Sequence, residues 1–340
     1  MLAHDTADAA APRAANTADI DQVVLTAGSN QLLALVADAL LDPGDCVVCD
    51  APSYFVFTGL VESVGARCLG VAADGDGMRI DALEQLLEAH AAAGTLERIK
   101  AIYSVSYYDN PRGVSLARSR RPALVALAQR YSHNHRIYVI EDAAYRELRF
   151  SGEDQASVRA YDASGETVIY AGTFSKTFSP GLRVGFGVLP KSIAPAVSAL
   201  KGNIDFGSPY LNQCILAEAL KLGLYEPHVA QLRALYAQKA ACMLAALDEH
   251  IAPLGGCSYE RPKGGLYVWL SLPANVDTGP HSALYARARE AGVLYVPGEY
   301  CYPSGAERPR NGMRLSFGVQ SEERIQLGIQ KLSAAISEVL

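Results

Sequence analysis

The chain has 340 residues, 50% hydrophobic and 19% charged, with 29 Gly, 17 Pro and a single Trp. That apolar fraction, without a triplet glycine period, excludes a disordered or collagen-like polymer, and the length suits one large domain or two ordinary ones. With 30 Lys and Arg scattered among 36 Asp and Glu the net charge is −6, and no basic face for a nucleic-acid backbone is evident.

The richest apolar stretch, 32–41, is broken by Asp38 and falls short of the ~18 residues that suggest a membrane span. The amino terminus, with Asp5 and Asp8 among many Ala, lacks the basic start and apolar middle of a secretion signal. Seven Cys, an odd number spread through the chain, suit a reducing compartment. A cytoplasmic protein that binds neither membrane nor nucleic acid is therefore expected. Cys46 and Cys49 form a C-x-x-C pair, open to redox or zinc chemistry. They flank Val47 and Val48 in a predicted strand, where positions three apart face opposite ways, so packing is the expected role and no metal site is assigned.

In chain order, 1–18 is Ala- and Asp-rich without periodicity and reads as a mobile tail. Short β-branched runs then alternate with helical patterns. Strands are predicted at 23–26, 46–49, 99–105, 136–141, 168–171 and 184–189, and helices at 30–41, 80–92, 119–130 and 193–201. Several strands are apolar on both faces, as in a mostly parallel sheet covered by helices on two sides. Beyond Ser208 come two long helical stretches, 211–222 and about 227–250. A smaller α+β segment follows, with strands at 266–272, 293–296 and 313–317 and helices at 283–291 and 322–339.

The densest chemical signal is the run from Gly172 to Phe186, which holds Thr173, Ser175, Lys176, Pro180, Gly181 and Arg183. A Lys just after an apolar strand, among hydroxyls and Gly, can turn its amine into a cleft and form a Schiff base, while Thr173, Ser175 and Arg183 offer donors to a phosphate. An exposed loop lysine is the plain alternative. Upstream, the strand at 136–141 delivers Asp142 and Tyr145 to the same sheet rim; Asp142 either partners a pyridine nitrogen or simply caps a turn. Gly28, Ser29 and Asn30 open a helix whose free N–H groups can seat a phosphate, although such caps are common. Tyr54 can face a flat ligand or merely pack. Asn110, in a Tyr-Asp-Asn-Pro-Arg-Gly turn, can contact a ring oxygen or only shape the turn. Arg314 lies among apolar neighbours on a strand and must find an anion, either a substrate carboxylate or a structural carboxylate.

In order and spacing these segments resemble the fold-type-I pyridoxal-phosphate aminotransferases, in particular the branch holding 2-aminoadipate and kynurenine aminotransferases and the aminotransferase-like domains of MocR regulators. The resemblance runs from about Val23 to the carboxyl terminus. It implies a mostly parallel sheet in a large cofactor domain at 19–235, with a small α+β domain at 236–340. It also implies that pyridoxal phosphate is carried on Lys176. The phosphate contacts fall on Gly28, Ser29, Asn30, Thr173, Ser175 and Arg183, the ring-stacking aromatic on Tyr54, and the ring-oxygen contacts on Asn110 and Tyr145. Asp142 becomes the pyridinium partner and Arg314, beside Asn110, the substrate-carboxylate site. Amino transfer between an α-amino acid and a 2-oxo acid follows, in a homodimer with its active sites at the interface. Decarboxylation, elimination or oxidative deamination on the same fold is the alternative, and a non-catalytic sensing domain a further one.

Thr173 stands where the family usually has Ser, Asn30 where it has Gln, and Arg112 where it has Thr. Arg112 is expected to add a cation near the cofactor end of the cleft. Only Met1–Ala27 precede the Gly28 loop, where relatives carry several dozen residues, so a shortened start is expected.

Overall fold

The computed structural model describes residues 18–304 and 308–340, so all but the last residue of the expected tail lies outside the described residues. The first part of the chain lays down β1 (Val23–Thr26), α1 (Ser29–Leu40), β2 (Cys46–Ala51), α2 (Phe55–Ser63), β3 (Arg67–Asp74), β4 (Gly77–Met78) and α3 (Ile80–Ala92). It continues with β5 (Ile99–Val105), α4 (Arg120–Arg130), β6 (Tyr138–Asp142), β7 (Val168–Thr173) and β8 (Gly185–Val188). These strands form one eight-stranded sheet in the order β1-β8-β7-β6-β5-β2-β3-β4.

The centre of the sheet, β3-β2-β5-β6-β7, is parallel. The edges are not: β8 runs antiparallel to both β7 and β1, and β4 runs antiparallel to β3. The predicted parallel sheet is therefore its core, and the strand expected at 184–189 turns back along it. Two elements had no clear signal in the sequence. β3 mixes Arg67, Gly70 and alanines instead of a β-branched run, and α2 has apolar residues without a clean helical stripe.

The parallel strands are buried on both faces. Val47, Cys49, Tyr103 and Ile169 pack on one side with α1 and α2, and Cys46, Val48, Ile102 and Val139 pack on the other with α3 and α4. Cys46 and Cys49 thus point to opposite faces, as their spacing in a strand requires.

Three helices follow, α5 (Ala194–Asp205), α6 (Tyr210–Lys221) and the 26-residue α7 (Tyr225–His250). Tyr236 of α7 touches the core of the large sheet and a second core as well. That second core covers a four-stranded antiparallel sheet in the order β11-β12-β10-β9. Its strands are β9 (Ser258–Tyr259), β10 (Tyr267–Ser271), β11 (Val296–Pro297) and β12 (Gly312–Ser316). Its helices are α8 (Ala283–Glu290) and α9 (Glu322–Ser337), whose N-terminal N–H groups are capped by Ser282 and Ser321. Among the described residues, no helix is long and apolar enough to cross a membrane.

Candidate active site

The carboxyl ends of the parallel strands deliver their following loops to one rim of the sheet, and a cleft of about 350 Å³ opens there. One end is built on the turn between β1 and α1. Gly28 holds a φ of 83°, open to glycine at little cost, and Ser29 begins the helix. The β8 backbone presses against this turn so closely that a Cβ at Gly185 would lie 2.5 Å from the Gly28 carbonyl carbon and 2.6 Å from the Ser29 nitrogen.

Arg183 stands in the left-handed region, with φ 52°. Its guanidinium donates to Ser175 Oγ at 3.2 Å and to the Ala27 carbonyl at 3.0 Å, so it bridges the loop after β7 to the turn before α1. Thr173 Oγ1 and Ser175 Oγ sit 3.1 Å apart. Free helix N–H groups, two hydroxyls and a guanidinium fork on one spot form a seat for a phosphate-sized anion. Lys176, half-buried, follows directly and lines the same cleft; its amine has no ion-pair partner among the described residues.

The other end is buried. Asp142, at the last position of β6, is 4% exposed. One of its oxygens accepts the Ala144 N–H at 3.1 Å, which is the turn cap that the plain reading of Asp142 anticipates. The other accepts the Tyr103 phenol O–H at 2.9 Å. Burial raises the Asp142 carboxyl to about 6, while the Tyr103 and Ala144 hydrogen bonds and the Lys176 charge pull it down. Tyr145, three residues on, donates its O–H to the Tyr267 hydroxyl at 3.3 Å.

Arg314 reaches in from β12 of the smaller sheet. Its guanidinium donates to Asn110 Oδ1 at 2.8 Å and lies 4.4 Å over the Tyr267 ring. Its Nε is buried with no partner among the described residues. A half-buried guanidinium whose Nε is buried and unmet is poised for an anion from outside, as a carboxylate ligand would be.

Ser29, Asn30, Tyr54, Asn110, Asp142, Tyr145, Thr173, Ser175, Lys176, Arg183 and Arg314 all line this one cleft, and Gly28 shapes the turn behind it. Arg112 corrects an expectation. It is 6% exposed, gives two donors to Asp109 Oδ2 at 3.0 and 2.8 Å and a third to the Asp74 carbonyl, and is not among the lining residues. Its charge is met by Asp109 behind the Asn110 turn. Beside it, buried Asp50 has one oxygen without a partner; burial raises its carboxyl to about 7 against the pull of Arg112.

Sequence reasoning missed Phe55, Tyr267 and Tyr103. Phe55 and Tyr267 line the cleft, and Tyr103 reaches Asp142 from beneath it. Tyr267 had one available signal, since it starts the strand that pairs with the one bearing Arg314. Tyr103 had none, because an aromatic inside an apolar strand reads as core.

A mostly parallel sheet with a lysine, an aspartate and an arginine gathered at its rim is the architecture of a fold-type-I pyridoxal-phosphate enzyme, and the chain belongs to the aminotransferase class I and II family, whose model matches residues 4–332. The chain is 35% identical to a 2-aminoadipate transaminase of Thermus thermophilus, over 94% of this chain and 76% of that protein. It is 32% identical to aromatic-amino-acid aminotransferase 1 of Thermococcus litoralis, over 93% and 72% respectively. Its fold is similar to that of Pyrococcus horikoshii kynurenine aminotransferase in complex with PMP, with a TM-score of 0.87 and 34% identity over 94% of this chain and 75% of that one. The protein is a pyridoxal-phosphate-dependent aminotransferase, moving an amino group between an amino acid and a 2-oxo acid. The donor set fits that cofactor: a phosphate seat at one end, a buried carboxylate at the other, a free lysine amine between them and an arginine with an unmet donor facing in.

Proposed function

We propose that Lys176 holds pyridoxal phosphate covalently through its ε-amine and that Arg314 binds the α-carboxylate of the incoming amino acid. The observation that carries this reading is the convergence of Lys176, Asp142, Arg183 and Arg314 on one cleft from four separate segments. Bound there, pyridoxal phosphate supplies an aldehyde that condenses with amines and a pyridine ring that draws electrons from the substrate Cα.

The chain's own groups do the rest. Ser29, Asn30, Thr173, Ser175 and Arg183 hold the phosphate with hydroxyls, helix N–H groups and a guanidinium fork. Gly28 and Gly185 leave room for that turn. Asp142 would keep a proton on the pyridine nitrogen, Asn110 and Tyr145 would hold the ring oxygen, and Tyr54 would cover a ring face. Arg314, steadied by Asn110, fixes the substrate carboxylate. Lys176 would also supply the amine that takes a proton from the substrate Cα and returns it.

The reading extends to a large domain at 19–235, a small one at 236–340, and a homodimer with its sites at the interface. Support for the dimer is an apolar face beside the Lys176 loop. Phe206 is 100% exposed, Tyr210 78% and Leu211 71%, and Asn212 of the same helix donates to the Leu182 carbonyl. A cytoplasmic location is supported by seven unpaired cysteines.

Two measurements test the proposal. Protein incubated with pyridoxal phosphate should turn yellow, and Lys176→Ala should stay colourless; a wild type without the absorbance band refutes the assignment of Lys176. Amino acid added without a 2-oxo acid should give one equivalent of product per site, and sustained turnover would point to decarboxylation, elimination or oxidation instead.

A further inference from the structure

Tyr103 sits two residues before Val105 on β5, and Val105 is the register partner of Asp142 on β6. Positions two apart in a strand share a face, so the Tyr103 side chain runs along the sheet toward the Asp142 carboxylate. Its O–H donates to Asp142 at 2.9 Å. The ring has no latitude: it is 0% exposed and stacked on Phe57 of α2, with centroids 3.7 Å apart and planes 15° apart. Burial and the Asp142 charge hold the phenol well above its ordinary value, so it stays a donor throughout the neutral range.

We propose that Tyr103 is a positioning residue that keeps Asp142 ionised and aimed at the pyridine nitrogen. The proposal rests on the reading of Asp142 given above, and it assigns the buried phenol a task beyond packing. The charged and titratable groups facing Asp142 are Tyr103 from β5, Tyr54 from the start of α2 and Lys176 from the loop after β7. Tyr145 faces it from its own segment, and Glu141, the preceding strand position on the opposite face, acts on it through its charge alone. Burial and the Glu141 charge favour the protonated acid. Against them stand one cation and two hydrogen bonds, and of the two donors Tyr103 is the only side chain. Remove that hydroxyl and Asp142 takes up a proton near neutral pH; a neutral acid no longer favours a proton on the nitrogen it faces.

The test needs no cofactor at first. In the apo protein labelled with carbon-13 at the aspartate carboxyls, Asp142 is identified by the signal lost in Asp142→Asn. Its titration midpoint should lie above the ordinary aspartate range, at about 6, in the wild type. In Tyr103→Phe, which keeps the ring and its stack, the midpoint should rise by about one pH unit, the size expected for losing one hydrogen bond to a charged group. Phe57→Leu, which keeps the hydroxyl but loosens the ring, should raise it part of the way. In the loaded enzyme the acid limb of kcat/KM should move up with the midpoint, while the high-pH plateau stays near wild type.

A hydroxyl that only packs would alter thermal stability and leave both midpoints in place. An unchanged or lowered midpoint in Tyr103→Phe therefore overturns the proposal. The outcome is separable from that of the wider reading: if Asp142→Asn binds and uses pyridoxal phosphate as well as the wild type, the role of Asp142 fails whatever the titration shows.

Discussion

At one end of the cleft, Ser29, Thr173, Ser175 and Arg183 offer their donors from element ends and loops that stay partly open to solvent. At the other, Asp142, Tyr103 and Tyr145 are 4%, 0% and 5% exposed; Tyr103 donates to Asp142, and Tyr145 donates to Tyr267. Both ends suit polar parts of one cofactor, but they work under different physics. In the open end water screens each charge and several donors share the load, so losses there should be graded. In the buried end a single missing donor decides whether a carboxyl is charged. The small sheet adds Arg314 across the gap, so the site depends on two cores keeping their register.

Substitutions can sharpen this contrast. The largest effect is expected from Arg314→Ala, which removes the guanidinium and leaves a substrate carboxylate without its partner. Loss of a desolvated charge pair costs on the order of 2 to 5 kcal/mol, read as a fall in kcat/KM carried mainly by KM. An unchanged KM would remove Arg314 from the substrate site. Asp142→Asn keeps the shape but removes the charge, and kcat should drop by roughly 10²- to 10³-fold, as for other buried electrostatic groups. A loss smaller than about tenfold would show that the buried end is as tolerant as the open one.

Gly185→Ala tests the open end through its scaffold. The added methyl would press on the Gly28–Ser29 backbone, so unfolding free energy should fall by about 1 to 3 kcal/mol and cofactor affinity with it. Normal stability with normal affinity would show that the turn has slack. The last effect is read only as a pH dependence and concerns Asp50, whose carboxyl is raised from 3.8 to about 7 by burial. The folded state then binds more protons than the unfolded state between those values. This group's contribution to stability is full below its unfolded value and is lost as pH rises through its folded one, by at most about 1.4 kcal/mol per pH unit. Denaturant titrations of Asp50→Asn should show that loss flattened. An unaltered pH dependence would mean Asp50 is already neutralised by Arg112.

The open end was legible in the sequence and the buried end only in part. Gly28, Ser29, Thr173, Ser175, Lys176 and Arg183 lie in two short runs of small, hydroxyl and basic residues that break the apolar pattern. Asp142 could be found because it ends a predicted strand. Tyr103 could not, since a hydrogen bond across β5 and β6 depends on register, which one strand alone does not specify. The same limit explains Arg112: its position beside Asn110 suggested a cation in the cleft, but Asp109 three residues away turns it inward. In the fold, the parallel centre followed from β-branched runs, whereas β3 and α2 are held by tertiary packing rather than by their own patterns.

The central claim is a bond to one nitrogen. Protein incubated with pyridoxal phosphate, reduced with borohydride, digested and mapped by mass spectrometry should carry the phosphopyridoxyl adduct on the peptide containing Lys176 and on no other. Stoichiometric labelling at a different lysine, or none at all, would contradict the account.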